Sequence, residues 1–193
     1  MDGENNLGYI VCFVNKNIER LFLENLIKNS NRNGSNIIIR SLENNINKTN
    51  ISFLYKEIKK YFNIDECNVE VIYIHNKEYD VNENNKIKKQ YKEICKLKNN
   101  NIINNIKEVT FEDKIEDWFV IDKLGVCKYL NCDWESSIKT LDYGNNEELF
   151  KMLFKRCSKP YTDRSQARLL IYLDFKLIYN AMKQNNKTIT TFI

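Results

Sequence analysis

Short apolar runs that alternate with amphipathic segments constrain the fold of this chain more than any other feature. The run Tyr9–Val14 is uninterrupted and of strand length, and residues 17–30 follow it with apolar side chains at helical spacing. A short apolar run and an amphipathic segment recur twice more, with the runs at Ile37–Ile39 and Val69–Ile74. Uninterrupted runs are typical of strands buried on both faces, and their alternation with helices predicts parallel pairing.

This alternation predicts an α/β fold with a mainly parallel, four-stranded sheet and helices on both faces. Parallel neighbours need a crossover connection, which each helical segment between two runs can supply. We expect strands near residues 9–14, 36–41, 69–74 and 102–110. The predicted helices of this part of the chain cover residues 17–30, 49–62 and 83–97.

Beyond Phe111 the pattern becomes helical. Apolar residues at helical spacing predict further helices over residues 115–130, 147–155 and 165–183, and Pro160 separates the last two. We therefore expect an α/β core over residues 1–111 and a C-terminal helical cap, residues 112–193, packed on that core.

Composition narrows the functional classes. Apolar residues make up 42% of the chain and charged residues 29%, which indicates a folded globule with a charged surface. A net charge of +4 permits nucleic-acid binding without requiring it. No apolar run approaches the roughly 18 residues of a membrane span, so we expect no membrane partner.

The cysteine, histidine and glycine patterns carry no enzyme signature. The six cysteines include no Cys-x-x-Cys pair, which predicts reduced thiols in a cytoplasmic protein. The lone His75 excludes a two-histidine zinc motif, and the five glycines form neither a dinucleotide fingerprint nor a P-loop.

Three segments resemble TOPRIM-like proteins related to OLD-type and abortive-infection nucleases. The segment Phe13–Leu23 is similar to the family's opening strand and helix, and Ile74–Asp80 falls where its third strand ends. The segment Ile115–Phe119 is similar to the family's Ile-Glu-x-Trp-Phe. The resemblance implies a TOPRIM-like α/β fold and a role in a prokaryotic defence or mobile-element locus.

The resemblance also implies where metal-binding acids would stand. In the family a Glu follows the first strand and an Asp-x-Asp ends the third, and such carboxylates can share Mg²⁺ or Mn²⁺. Here Asn15, His75 and Lys77 occupy those positions. A neutral amide is a weaker ligand, and a lysine repels a divalent cation. We therefore expect a degenerate nuclease that has no cofactor. We expect it to bind nucleic acid or a protein partner.

Two alternatives remain open. The chain could be an active nuclease that uses Mg²⁺ or Mn²⁺ with Glu78, Asp80 and Glu116 as its catalytic acids. Glu78 and Asp80 form an acid-x-acid pair, but they could equally be solvated loop residues, and Glu116 with Asp117 could simply favour a helix N-terminus. In the second alternative, the helical cap is an accessory module that docks a protein partner from the same locus.

The densest basic stretch predicts where nucleic acid would bind. It contains Lys155, Arg156, Lys159, Arg164 and Arg168, with Tyr161 and Tyr172 nearby. Arg164 and Arg168 are four residues apart and share a helix face. We expect these two arginines and Lys159 to contact backbone phosphates; the alternative is an ordinary solvated helix face.

Overall fold

The computed structural model describes most of the chain, in several segments. These are residues 9–30, 37–42, 56, 69–77, 81–99, 103–111 and 113–185. The helix predicted over residues 49–62 lies outside the described residues except for Lys56, and Glu78 and Asp80 lie outside them as well.

The described residues contain a four-stranded sheet, and every pairing in it is parallel. Its strands are β1 (Tyr9–Val14), β2 (Ile37–Ser41), β3 (Val69–Asn76) and β4 (Ile103–Phe111). The four predicted strands and their parallel arrangement are therefore confirmed, and the fold is α/β. The strands with the longest apolar stretches are β1 and β3, with Glu70 the one polar residue between Val69 and Ile74, and they are the central strands, as expected for strands covered on both faces.

The strand order β2-β1-β3-β4 creates a switch point at the centre of the sheet. From β1 the chain moves outward to β2 on one side, whereas β3 and β4 lie on the other side. Val14 at the end of β1 pairs with Ser41 of β2 and with Ile74 of β3. The carboxyl ends of these strands therefore meet at the position where parallel sheets bind ligands.

The described helices cover both parts of the chain. They are α1 (Asn17–Asn29), α2 (Val81–Cys95), α3 (Ile115–Phe119), α4 (Lys123–Leu130), α5 (Trp134–Ile138), α6 (Asn146–Arg156), α7 (Asp163–Leu169) and α8 (Phe175–Gln184). Short 3₁₀ turns follow α2 and α3, at Lys96–Asn99 and Val120–Asp122. No helix in the described segments has the length and apolar character needed to cross a bilayer.

The chain divides into two compact units. The first contains residues 1–20 and 33–111, and the second contains residues 21–32 and 112–193. In the first unit, α2 contributes Ile87 and Ile94 to an apolar core that the sheet completes. The other buried members of this core are Val11, Phe13, Leu42, Val69, Val71, Tyr73, Leu97 and Ile103.

Aromatic rings form the centre of the second unit. Phe22 stacks on Trp118 with ring centroids 4.9 Å apart, and it also contacts Phe175 at 5.3 Å. Phe119 meets Phe150 edge-on at 5.6 Å. Rings of this size bury large apolar areas, and their offset contacts add stability beyond the buried area. Trp118 and Phe119 are therefore core residues of this unit.

Two helices predicted as continuous are broken in the structure. The helix predicted over residues 115–130 is interrupted at Val120–Asp122, where the Asp122 carboxylate caps α4 by accepting from the Gly125 N–H. The helix predicted over residues 165–183 ends at Leu169, and Asp174 caps the new helix α8. An aspartate that accepts backbone hydrogen bonds at a helix start competes with helix continuation. Apolar periodicity continues across both breaks and does not reveal them.

Candidate functional site

The switch point of the sheet carries a cluster of polar side chains from four elements. Asn15 follows β1, whereas Tyr73 and His75 belong to the end of β3. Gln90 reaches the same place from α2, and Glu108 reaches it from β4. This group is the edge cluster below. Two of its members, Asn15 and His75, occupy positions where the TOPRIM-like pattern would have metal-binding acids.

A buried tyrosine connects Asn15 with Gln90. The Tyr73 hydroxyl lies 2.8 Å from Asn15 Oδ1 and 2.8 Å from Gln90 Oε1. A hydroxyl has one hydrogen to donate, so both amide oxygens cannot accept from it. Gln90 Nε2 is buried without a partner, and rotating this amide by half a turn would let it donate to the Tyr73 oxygen. We therefore orient the chain of donors from Gln90 through Tyr73 to Asn15.

The electrostatic surroundings keep Tyr73 protonated. Burial raises the pKa of Tyr73 above its ordinary value, and the negative charges of Glu19 and Glu108 raise it further, although the Asn15 hydrogen bond opposes the shift. A protonated Tyr73 fixes the Asn15 oxygen as a hydrogen-bond acceptor. That oxygen is therefore engaged within the protein.

His75 also points its ring nitrogens at protein oxygens. Its Nδ1 lies 2.9 Å from the Asn76 carbonyl oxygen, and its Nε2 lies 3.0 Å from a carboxylate oxygen of Glu108 and 3.4 Å from the Thr110 hydroxyl. The carbonyl can only accept, so Nδ1 carries a hydrogen. The imidazole is 7% exposed and is oriented by these contacts.

Glu19, an acid in the first turn of α1, binds the backbone N–H groups that follow β1. One oxygen of Glu19 accepts from the backbone N–H groups of Asn15 at 3.1 Å and Lys16 at 2.9 Å. The carboxylate thus stabilises the start of α1, where the helix dipole favours a negative charge. Among the described residues, no group of three or more His, Cys, Asp or Glu side chains has the geometry of a metal site.

Three more residues named from the sequence follow Asn76, the last residue of β3. Lys77 is exposed, and its backbone N–H donates to the Phe111 carbonyl oxygen at 2.6 Å, which continues the pairing of β3 with β4. Glu78 and Asp80, the proposed acid-x-acid pair, lie outside the described residues. Their catalytic role stays a prediction.

Glu116, the third predicted catalytic acid, lies in the first turn of α3 in the second unit. Its side chain is 7% exposed and accepts a hydrogen bond from the Tyr161 hydroxyl. Burial raises the pKa of Tyr161, and the charge of Glu116 and this hydrogen bond raise it further. Tyr161 thus acts as a partly buried donor to Glu116 rather than as an exposed ring.

Neighbouring charges fix α3 against α6. Asp117 accepts from the Lys114 N–H at 2.7 Å and from the Asn146 amide at 2.8 Å. The Lys114 ammonium contacts Glu147 at 2.6 Å, and Lys151 contacts Glu147 at 2.5 Å. These two lysines hold the pKa of Glu147 down at about 2. The carboxylates at the start of α3 and α6 thus stabilise the structure of this unit.

A second candidate site combines basic and aromatic side chains. Tyr129 lies at its centre: the Lys159 ammonium is 4.0 Å from the Tyr129 ring centroid, and the Tyr172 ring centroid is 5.5 Å away. The positive charge of Arg168 also acts on the Tyr129 hydroxyl, where it opposes the rise in pKa that burial causes. We call Tyr129, Lys159, Arg164, Arg168 and Tyr172 the basic–aromatic surface.

The exposed members of this surface are the two arginines and one tyrosine. Arg164 and Arg168 are exposed on α7, one helical turn apart, and Tyr172 is 49% exposed just beyond the end of that helix. Lys159 has a more local role, because its ammonium also binds the Tyr129 carbonyl oxygen. It therefore holds Tyr129 in place, and the arginines carry the charge that is open to a ligand.

Arg156, the remaining arginine of the basic stretch, has a structural role. Its guanidinium donates to the Ser137 carbonyl oxygen at 2.9 Å and to the Thr140 hydroxyl at 2.8 Å. These bonds join the end of α6 to the end of α5. We therefore do not count Arg156 among the groups directed at a ligand.

A buried aspartate holds the segment that presents Tyr172. The two oxygens of Asp122 accept from the Gly125 N–H at 3.0 Å and from the Asp174 N–H at 2.7 Å. Gly125 fits closely here: a Cβ at this position would lie 2.5 Å from the Tyr172 carbonyl oxygen. We call Asp122, Gly125 and the bonded Asp174 backbone the aspartate clamp. It fixes the break between α7 and α8 that leaves Tyr172 exposed.

Sequence reasoning found the basic residues but missed several of their partners. No sequence motif indicates Tyr129 or the aspartate clamp. The contact of Tyr129 with Lys159 joins residues 30 positions apart, and that of Asp122 with Asp174 joins residues 52 positions apart. Glu108 could have been suspected from the sequence, because it is an acidic residue within the last predicted strand. The structure pairs it with Tyr73 of β3.

Comparisons of the chain with protein-family models, curated proteins and solved structures found no match.

Proposed function

We propose that this chain binds single-stranded nucleic acid through its basic–aromatic surface and that its TOPRIM-like core is a degenerate nuclease. The context we propose is a prokaryotic defence or mobile-element locus. The observation that carries the binding proposal is the exposed Tyr172 ring, which lies 5.5 Å from the Tyr129 ring, while the charge of Arg168 acts on the same Tyr129.

The chemistry of single-stranded nucleic acid fits this surface. Its bases present faces that stack on aromatic rings, and its phosphates attract arginines. Arg164 and Arg168 are spaced to follow a backbone along α7, and Tyr172 lies at the C-terminal end of the same helix. A base could therefore stack on Tyr172 while neighbouring phosphates contact the arginines.

The edge cluster supports the proposal that the core is a degenerate nuclease. The side chains that stand in place of the expected acids are engaged with other groups of the protein: Asn15 with Tyr73, and His75 with Glu108 and Asn76. Neither supplies the carboxylate oxygens that Mg²⁺ prefers. Binding without hydrolysis is therefore the function that these contacts favour.

The charge contribution is tested by changing Arg164 and Arg168 to Ala together. Binding of a labelled single-stranded oligonucleotide is followed by fluorescence anisotropy across roughly 50–200 mM salt. Each phosphate contact contributes about 0.7 to the salt slope for a single strand, so the double variant should lose about 1.4. The matched control changes Lys88 and Lys92, which are also exposed and four residues apart on a helix, to Ala. An equal loss in both variants would contradict a localised surface.

The stacking contribution is tested at Tyr172. Tyr172→Ala should weaken binding by roughly 1–3 kcal/mol without changing the salt slope, because a lost base stack removes no charge. Tyr172→Phe keeps the ring and should retain affinity. Tyr143, which is 39% exposed, provides a matched Tyr→Ala control elsewhere in the second unit. Equal affinity of Tyr172→Ala and the wild type would remove stacking from the proposal.

Protein docking is the second candidate function, favoured by exposed apolar side chains. Ile171 is 80% exposed and Leu124 is 74% exposed. Their chain neighbours Tyr172 and Gly125 lie close together, since a Cβ on Gly125 would lie 2.5 Å from the Tyr172 carbonyl oxygen. Exposed apolar groups of this kind can form a protein interface. Absence of nucleic-acid binding at low salt would favour this candidate.

A further inference from the structure

Three cysteines that are dispersed in the sequence come together in the second unit. Cys127 lies in the last turn of α4, Cys132 follows the end of this helix, and Cys157 caps the end of α6. All three are partly exposed. We call them the thiol cluster.

Cys132 contacts Cys127 and lies near Cys157. Its Sγ lies 4.0 Å from that of Cys127, and its backbone N–H donates to the Cys127 carbonyl oxygen at 3.2 Å. Burial raises the pKa of the Cys157 thiol, and the nearby Cys132 raises it further. Asn131 between the first two adopts a left-handed conformation, with φ of 58°, and this reverses the chain so that Cys132 faces back onto α4.

The pair Cys127 and Cys132 is placed for covalent bonding. A disulfide needs its sulfurs about 2.05 Å apart, so the present separation must shorten by roughly 2 Å. Rotation of two partly exposed side chains at a helix end can supply a movement of this size. We propose that Cys127 and Cys132 form a redox-active dithiol that low-molecular-weight disulfides oxidise to an intramolecular disulfide.

The reaction with oxidised glutathione is a two-step exchange. The Cys132 thiolate attacks one glutathione sulfur, forms a mixed disulfide and releases the first glutathione thiolate. The Cys127 thiolate then attacks the Cys132 sulfur and releases the second. Two protein thiols are oxidised, one glutathione disulfide is reduced to two thiols, and the two protein protons pass through solvent to the released thiolates.

The surroundings of Cys127 affect the rate of the second step. Burial raises the pKa of Cys127 to about 12, and the nearby Cys132 adds to the shift. The thiolate is the attacking species, so closure should be slow at neutral pH and should accelerate as the pH rises. The slow, pH-dependent rate of disulfide closure thus distinguishes this pair from an ordinary exposed thiol.

Tryptic mapping of the full chain tests the pairing directly. Cleavage after Lys128 separates Cys127, in residues 124–128, from Cys132, in residues 129–139. After treatment of the folded protein with oxidised glutathione and alkylation of remaining thiols, we expect these two peptides to be joined and two alkylatable thiols per chain to be lost. Dithiothreitol should restore both thiols.

Variants and a second reagent complete the test. Cys132→Ser should abolish the linked peptides, whereas Cys95→Ser, which removes an exposed thiol from α2, should leave their yield unchanged. Phenylarsine oxide, which bridges paired thiols, should protect both cysteines of the wild-type protein from alkylation. Mixed glutathione disulfides alone, bonds between chains, or a link from Cys132 to Cys157 would each overturn the assignment.

Discussion

Substitution of Gly125 by alanine should destabilise the second unit by an amount that the structure specifies. A Cβ at this position would lie 2.4 Å from Asp122 Oδ2 and 2.5 Å from the Tyr172 carbonyl oxygen. The Asp122 carboxylate is held because it accepts from the Gly125 and Asp174 backbone N–H groups, and the Tyr172 oxygen belongs to the backbone. Relief of the overlap must therefore displace the aspartate clamp.

Three contributions determine the size of the effect. Overpacking of a fixed site costs roughly 1–3 kcal/mol. Weakening of hydrogen bonds to a charged acceptor adds up to about 1.5–3 kcal/mol. The higher helix propensity of alanine offsets about 1 kcal/mol. We expect a net loss of roughly 1.5–5 kcal/mol in unfolding free energy, which lowers the thermal midpoint by roughly 3–20 °C for a chain of this length.

Thermal and urea unfolding followed by circular dichroism measure this loss, and Gly144→Ala is the matched control. A Cβ at Gly144 would lie 3.3 Å from Glu148 Oε2, whose hydrogen bond from the Gly144 N–H is exposed and can be replaced by water. The control should therefore stay within about 0.5 kcal/mol of the wild type. Equal stability of the two alanine variants would refute the account of the aspartate clamp.

Two further changes test other parts of the structure. Glu147 has a pKa depressed to about 2, so its contribution to stability is present above its unfolded value near 4.3 and is lost as the pH falls toward 2. The thermal midpoint of the wild type should therefore exceed that of Glu147→Gln at pH 6, and the two should converge near pH 2; a constant difference would contradict the ion-pair account. Tyr73→Phe removes the hydroxyl that joins Asn15 to Gln90 and should cost roughly 1–3 kcal/mol, because buried polar groups lose their partner. The partly buried Tyr179 provides the Phe control in urea unfolding, and an equal effect of both changes would remove the proposed network.

The sheet could be predicted from the sequence because its central strands are buried on both faces. The continuous apolar run Tyr9–Val14, and the stretch Val69–Ile74 with Glu70 as its one polar residue, are the direct consequence of that burial. The helix breaks at Asp122 and Asp174 could not be predicted, since they depend on one carboxylate that joins two segments distant in the chain. Helical periodicity reports one face of a helix and carries no information on such contacts.

The candidate sites were predictable to a smaller degree. Charge and spacing identified Arg164 and Arg168, because exposed charges need no tertiary partner. The structural roles of Lys159 and Arg156 depend on backbone carbonyl oxygens of Tyr129 and Ser137, which no side-chain pattern indicates. The approach of Cys132 to Cys127 likewise follows from the left-handed Asn131 and not from a cysteine motif.

The central claim is that the chain binds single-stranded nucleic acid and leaves it intact, and one time course tests both parts. The anisotropy of an end-labelled oligonucleotide is followed with the wild-type protein after addition of Mg²⁺ or Mn²⁺. The account predicts a high, constant signal and full-length oligonucleotide on a denaturing gel at the end. A metal-dependent fall in anisotropy that Glu116→Gln or Asp80→Asn abolishes would contradict it and would establish the active nuclease instead.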